Sequence, residues 1–166
     1  MKSLIFVGEE MTMLEYSGCR FIHICKIDPL RDLEGRPVQF MPQSRYRNKK
    51  GLALHKYGNG PFCKFDIPND SNWRGKNGVY IILVNSIPKY VGQCANLAHR
   101  FRYGYGQIHP RNCFEGGQRT NCRINNLILK EAAKRGDVIE LLFYETNDRA
   151  RIEEMLIGEL RPEWNG

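Results

Sequence analysis

The chain has 166 residues, 42% of them hydrophobic and 26% charged, the proportions of a globular protein with one main domain and room for a small addition. No apolar run approaches the roughly 18 to 20 residues that a bilayer crossing needs, which excludes a helical membrane span. The opening MKSLIFVGEEM is too short and too soon acidic for a secretory signal, so a cytoplasmic protein is expected.

The formal net charge is +7, and its distribution is more informative than its size. Residues 35–65 carry seven basic side chains (Arg36, Arg45, Arg47, Lys49, Lys50, Lys56, Lys64) and no acid. Residues 89–135 carry nine basic side chains against Glu115 and Glu131. Two such stripes fit a polyanion, because phosphate contacts release counterions and dominate affinity, although solvated faces have the same composition. Six cysteines, at 19, 25, 63, 94, 113 and 122, form no CxxC pair, so free thiols are expected in place of a zinc site.

In chain order, RFIHICKI (20–27) reads as a strand, followed by Gly- and Pro-punctuated loops and short strands up to residue 76. A more regular pattern follows, beginning with apolar strands at 78–84 and 88–93. A helix is expected from Ala95 to Tyr103, where Leu97 and Phe101 pair at i, i+4 and Asn96, Arg100 and Tyr103 share another face. A Gly-rich basic loop runs over 103–120. Thr120 is the expected cap of a second helix that Gly136 ends. VIELLFYE (138–145) reads as a strand, and Asp148 to Leu160 as a last helix. The order β-β-α-α-β-α predicts an α+β domain over 77–166. Its small antiparallel sheet, of about three strands, is flanked by helices, and 1–76 forms a β-rich N-terminal extension.

Within the hairpin NGVYIILVNSIPKYVGQ, a three-residue connection Asn85–Ile87 pairs Val84 with Pro88 and Tyr80 with Gly92. Tyr80 and Tyr90 then share a face as diagonal neighbours, and Gly92 leaves room for a ligand to approach. One more loop residue sends the two phenols to opposite faces. Aromatic residues favour strands, so the pair taken alone reads as packing.

GVY, then YVG with ten residues from tyrosine to tyrosine, then Asn96-Leu97 and Arg100, and finally EEMLIGELRPEWN, together resemble the GIY-YIG nuclease superfamily over residues 77–166. GYGQIHPRNCFEGGQRTNCRIN is similar to its loop-bearing, restriction-endonuclease-like branch. The family's closing helix carries a metal-binding glutamate, three residues before a Leu-Ile pair and twelve before an Asn. That position is Glu153 here. The helical wheel selects the same residue. Glu153 falls inside the arc of Ile152, Met155, Leu156, Ile157 and Leu160, where a carboxylate needs a partner, whereas Glu154 points to water.

The resemblance implies a magnesium-dependent endonuclease of double-stranded DNA, with one ion per site and manganese as a substitute. It implies that Glu153 is the metal ligand and Arg100 stabilises phosphoryl charge. Tyr80 contacts the attacking water as base or positioner, Tyr90 completes the network, and Asn165 orients the glutamate helix or the phosphate. A phenol with a pKa near 10 needs a neighbouring cation to act as a base. Where many members have lysine three residues after the second tyrosine, this chain has Gln93, and Lys89 is the substitute cation. Gln93, Tyr103 and Tyr105 are expected near the DNA. Phosphate and base contacts are expected from Arg102, Arg111, Arg119 and Arg123 on the loop, and from Arg45, Arg47, Lys49 and Lys50 in the extension. Cutting both strands of a palindrome with one site per chain needs a homodimer or two visits. Alternatives are a structure-specific nuclease of repair or mobile elements, and a nucleic-acid-binding module without catalysis.

Overall fold

The structure is a computed structural model and describes residues 3–7, 11–47, 51–69 and 71–166. Its residues group into two compact units, each assembled from separated stretches of chain. The first unit comprises Met1–Ile27, Ile67–Ala98 and Val138–Gly166, and the second comprises Asp28–Asp66 and His99–Asp137. The expected boundary between residues 76 and 77 falls inside the first unit, because strands from both sides of it share one sheet.

That sheet has six strands where about three were expected. They are β1 (Ser3–Val7), β2 (Met11–Tyr16), β3 (Cys19–Lys26), β4 (Gly78–Val84), β5 (Ile87–Cys94) and β6 (Ile139–Glu145). All neighbours are antiparallel in the order β1-β2-β3-β6-β4-β5, so the class is α+β. The strands of the first sixteen residues escape a reading that treats the opening only as a candidate signal. Ser17 and Gly18, at φ 53° and 78°, make the two-residue turn that folds β2 onto β3.

β4 lies between β6 and β5, and all seven of its residues are buried, which is why GVYIILV is a continuous apolar run and not an alternating one. One sheet face carries Val79, Ile81, Leu83, Val91 and Leu142. These pack with Ile152 and Leu156 of α3 (Arg149–Leu160), leaving the opposite side of that helix to water. Tyr80, Ile82, Tyr90, Leu141 and Phe143 alternate with them and are buried on the other face.

The second unit contains α2 (Arg119–Ala132) and 3-10 turns at Pro42–Arg45 and Pro110–Cys113. Phe62, Ile108, Cys113, Phe114 and Cys122 form its core. The helix expected over 95–103 is instead a single turn, α1 (Leu97–His99), that widens into a π-helical turn over Arg100–Tyr105. Gly106 donates to the carbonyl of Phe101 at 2.7 Å, the i to i−5 bond that sets the wider pitch. Helix α2 begins one residue before Thr120, with Gln118 at its cap, and ends at Ala132, ahead of Gly136. All six cysteines are free thiols. Among the described residues no helix is long and apolar enough to cross a membrane.

Candidate active site

The hairpin positions the tyrosines, by a route that differs from the expected one. Its turn has two residues, Asn85 and Ser86, both left-handed at φ 50° and 67°. Val84 therefore pairs with Ile87 and Leu83 with Pro88, and Lys89 is then an extra residue before Ile82 pairs with Tyr90. The shorter turn and the bulge cancel, so Tyr80 still faces Gly92. Tyr80 and Tyr90 share a sheet face with ring centroids 6.2 Å apart and planes tilted by 43°. Both are buried, at 1% and 8% exposure.

Gly92 does not leave space for a ligand, as its position opposite Tyr80 had implied. The phenol of Tyr80 fills it: a Cβ added at Gly92 would stand 2.3 Å from the hydroxyl oxygen and 2.5 Å from Cζ. Only glycine lets that hydroxyl lie across β5.

Gln93, the next residue, points to the α3 face. Its Nε2 donates to Glu153 Oε2 at 2.6 Å. Glu153 is half-buried and Glu154 is exposed, as the helical wheel requires, and the amide of Gln93 is the partner that a carboxylate on the packed face needs. Among the described residues the other oxygen of Glu153 has no hydrogen-bond partner. It is a hard, partly dehydrated oxygen donor able to meet a divalent cation. No group of three or more His, Cys, Asp or Glu side chains gathers among the described residues. The Tyr80 phenol and the Glu153 carboxylate thus meet β5 from opposite faces of the sheet, at the adjacent residues Gly92 and Gln93.

Two further expected residues act on the outer side of β5, which ends the sheet. Asn165 Nδ2 donates to the carbonyl of Val91 and its Oδ1 accepts from the Val91 amide, each at 2.8 Å, imitating one residue of a neighbouring strand. Asn165 thereby anchors the tail that follows α3, and touches neither Glu153 nor the tyrosines through these bonds. Lys89 at the bulge is ion-paired with Glu163 of the same tail, so its charge is already matched.

The remaining expected residues lie in the second unit, except Lys49 and Lys50, which fall outside the described residues. Arg100 opens the π-helical turn, with its guanidinium over the ring of Tyr105, 5.7 Å from the centroid. Tyr105 is buried edge-on against Phe101, so it is a support for Arg100 and not the exposed DNA contact expected of it. Tyr103 is 60% exposed beside His99. Arg102 is held by Asp66 at 3.0 Å, which keeps its pKa above the ordinary guanidinium value. Arg119 pairs with Glu115 at 2.6 Å, Arg111 donates to the Glu115 carbonyl at 2.9 Å, and Arg123 is half-buried. Arg45 and Arg47 are exposed, and Arg45 borders a cleft of about 600 Å³ with Met41, Ser44, Lys64 and Gln107 and no carboxylate.

The sequence reading passed over two buried asparagines of α2. Asn125 accepts from the amide of Cys63 at 2.9 Å and donates to the carbonyls of Cys63 and Tyr105 at 2.9 and 2.7 Å, which fixes the segment beneath Arg100. Asn121 is buried one turn earlier. Their signal was available in NCRINNLIL, where amides at i and i+4 occupy the same stripe as Ile124 and Ile128. No family model, curated protein or solved structure matches the chain.

Proposed function

We propose that the chain is a divalent-metal-dependent endonuclease of double-stranded DNA, a sequence-specific type II restriction enzyme that works in the cytoplasm. The observation that supports this reading best is the pair of adjacent positions on strand β5. Gly92 underlies the Tyr80 hydroxyl, and Gln93 holds the Glu153 carboxylate at 2.6 Å. Two neighbouring residues of one strand thus each seat a side chain to which this reading gives a chemical role, the Tyr80 phenol and the Glu153 carboxylate.

In this reading Glu153 would hold magnesium through its second carboxylate oxygen, and the ion would supply Lewis-acid stabilisation of phosphoryl charge. Gln93 fixes the carboxylate rotamer, as outer partners of metal ligands do. Tyr80 orients the attacking water and Tyr90 sets the tilt of the Tyr80 ring. Arg100, preorganised on Tyr105, offers its guanidinium to the phosphoryl oxygens. The burial of Tyr80 and its position on the face away from Glu153 favour a second reading, a nucleic-acid-binding module without catalysis.

Incubating the purified chain with plasmid DNA of varied sequence separates the two. With magnesium the nuclease reading expects discrete fragments, and with chelator none. Glu153→Gln, which keeps the side-chain volume, should cut about a thousandfold more slowly, the loss of several kcal/mol of transition-state stabilisation. Gln93→Ala should cut roughly 10- to 100-fold more slowly. DNA that is retarded but intact under every condition would remove the nuclease reading and leave the binding module.

A further inference from the structure

The cleft bordered by Arg45 lies wholly within the second unit and has a volume of about 600 Å³. The bridge between Phe40 and Phe62 builds one wall, each residue donating its amide to the other's carbonyl at 2.8 and 3.0 Å. Phe62, Cys63 and Ile108 line the cleft and are buried, so its floor is apolar. Met41 stands 48% exposed at the rim, where Ser44 Oγ of the 3-10 turn holds its carbonyl at 2.7 Å.

The polar side chains all stand on the rim. Gln39, Ser44, Arg45, Lys64 and Gln107 line the cleft and are exposed. The Lys64 ammonium lies over the Phe40 ring, 4.4 Å from its centroid, which keeps this charge against the wall. Among the described residues no acidic side chain lines the cleft, and neither Arg45 nor Lys64 is ion-paired. An apolar floor under a cationic, amide-bearing rim suits a ligand with a flat apolar body and an anionic group. The volume falls within the roughly 300–1,000 Å³ of sites for such small bodies.

The two halves of the cleft together narrow the occupant. A backbone phosphate alone would use the cations and gain nothing from the floor. A paired base shows a protein only its edge, both faces being covered in the stack. A base outside the stack offers a face to the floor, an edge to the amides of Gln39 and Gln107, and its phosphate to the two cations. We infer that this cleft receives one unpaired nucleotide of the DNA strand, with its base on the apolar floor and its phosphate on Arg45 and Lys64. The inference rests on the nucleic-acid reading above, and adds that the bound DNA has a base outside its stack.

The test is binding by the full chain, in chelator so that nothing is cut, of a fully paired duplex and of the same duplex with one extra unpaired adenosine. The extra base has no stacking partner to give up, so the bulged duplex should bind about tenfold more tightly. Met41→Ala trims the rim, and Gln107→Trp fills the cleft from an exposed position. Each should melt like the wild type and bring the ratio of the two affinities toward one. Lys64→Gln should do the same and lower the salt slope for the bulged duplex by about one. Equal affinity of the wild type for both duplexes would overturn the inference and leave the nuclease reading standing. A preference that survives all three substitutions would place the base elsewhere and overturn it as well. Free adenosine monophosphate that binds while the bulged duplex gains nothing would reassign the cleft to a free nucleotide. A wild type that binds neither duplex would end both the inference and the reading beneath it.

Discussion

Gly92 is the residue on which the tyrosine geometry depends most. A methyl group there would overlap the Tyr80 hydroxyl at 2.3 Å, a collision with a ring that is itself 99% covered and has no free volume to retreat into. Gly92→Ala should therefore cost about 1–3 kcal/mol in urea melts, as overpacking in a closed core does. In a nuclease it should also lower the rate by more than the stability loss explains. The double variant Tyr80→Ala, Gly92→Ala separates the clash from the backbone effect. With the ring gone, the alanine at 92 should cost only a few tenths of a kcal/mol beyond Tyr80→Ala alone, a coupling that a mutant cycle reads directly. Additive costs would mean that the Tyr80 phenol does not occupy the Gly92 position in solution. Glu153 shows the complementary case, a polar side chain whose burial is sustained by one partner, Gln93. Both residues could be singled out from sequence for physical reasons, one as a glycine opposite an aromatic and the other as a carboxylate on an apolar arc. The same wheel applied to α2 would have found Asn121 and Asn125.

Among the elements, β5 is the strand whose outer side the tail covers. Asn165 gives Val91 both a donor and an acceptor, each at 2.8 Å, and Lys89–Glu163 adds an ion pair beside them. The adjacent Trp164 is buried, so the tail is packed as well as bonded. Asn165→Ala should remove two edge hydrogen bonds and cost about 1–3 kcal/mol. Its signature is faster amide exchange at Val91, with exchange in the central strand β4 unchanged apart from the global loss. Unchanged protection at Val91 would show that the tail does not cover this edge. The hairpin and β6 were legible as short apolar runs bounded by turn signals, and α3 by its apolar arc at the helical period. The π-helical turn was not, since its pitch is set by the Gly106–Phe101 bond, which no periodicity over 95–103 encodes. The turn length was misread because Asn85 and Ser86 both adopt left-handed backbone. The face of Tyr90 was still correct because the bulge at Lys89 compensates. Strands β1 and β2 were missed, since the opening was read only for a signal segment and Ser17-Gly18 was not taken as a two-residue hairpin turn.

At the scale of the whole molecule, the two basic stripes read separately along the chain fall, Lys89 apart, in the two stretches of a single unit. Residues 28–66 and 99–137 hold sixteen basic against seven acidic side chains, a net +9, while the first unit holds nine against eleven, a net −2. The charge is thus partitioned by unit, with the metal-ligand candidate Glu153 on the acidic one and Arg100 on the basic one. This partition makes a quantitative prediction. Each cation that neutralises a phosphate adds about 0.9 to the slope of log affinity against log salt. Arg45 and Arg47 are exposed cations of the second unit, and Arg45 borders the acid-free cleft. Replacing both with alanine should lower the slope by roughly two and weaken binding about equally for every duplex sequence. Arg20→Ala with Lys26→Ala removes the same charge from exposed positions of the first unit and should leave the slope within about 0.5 of the wild type. Equal losses from both pairs would mean that DNA responds to the net charge of the whole chain, and that the collection of both stripes into one unit has no bearing on binding. A slope change confined to Arg45 and Arg47, combined with loss of preference for one sequence over another, would instead move those arginines from phosphate to base edges.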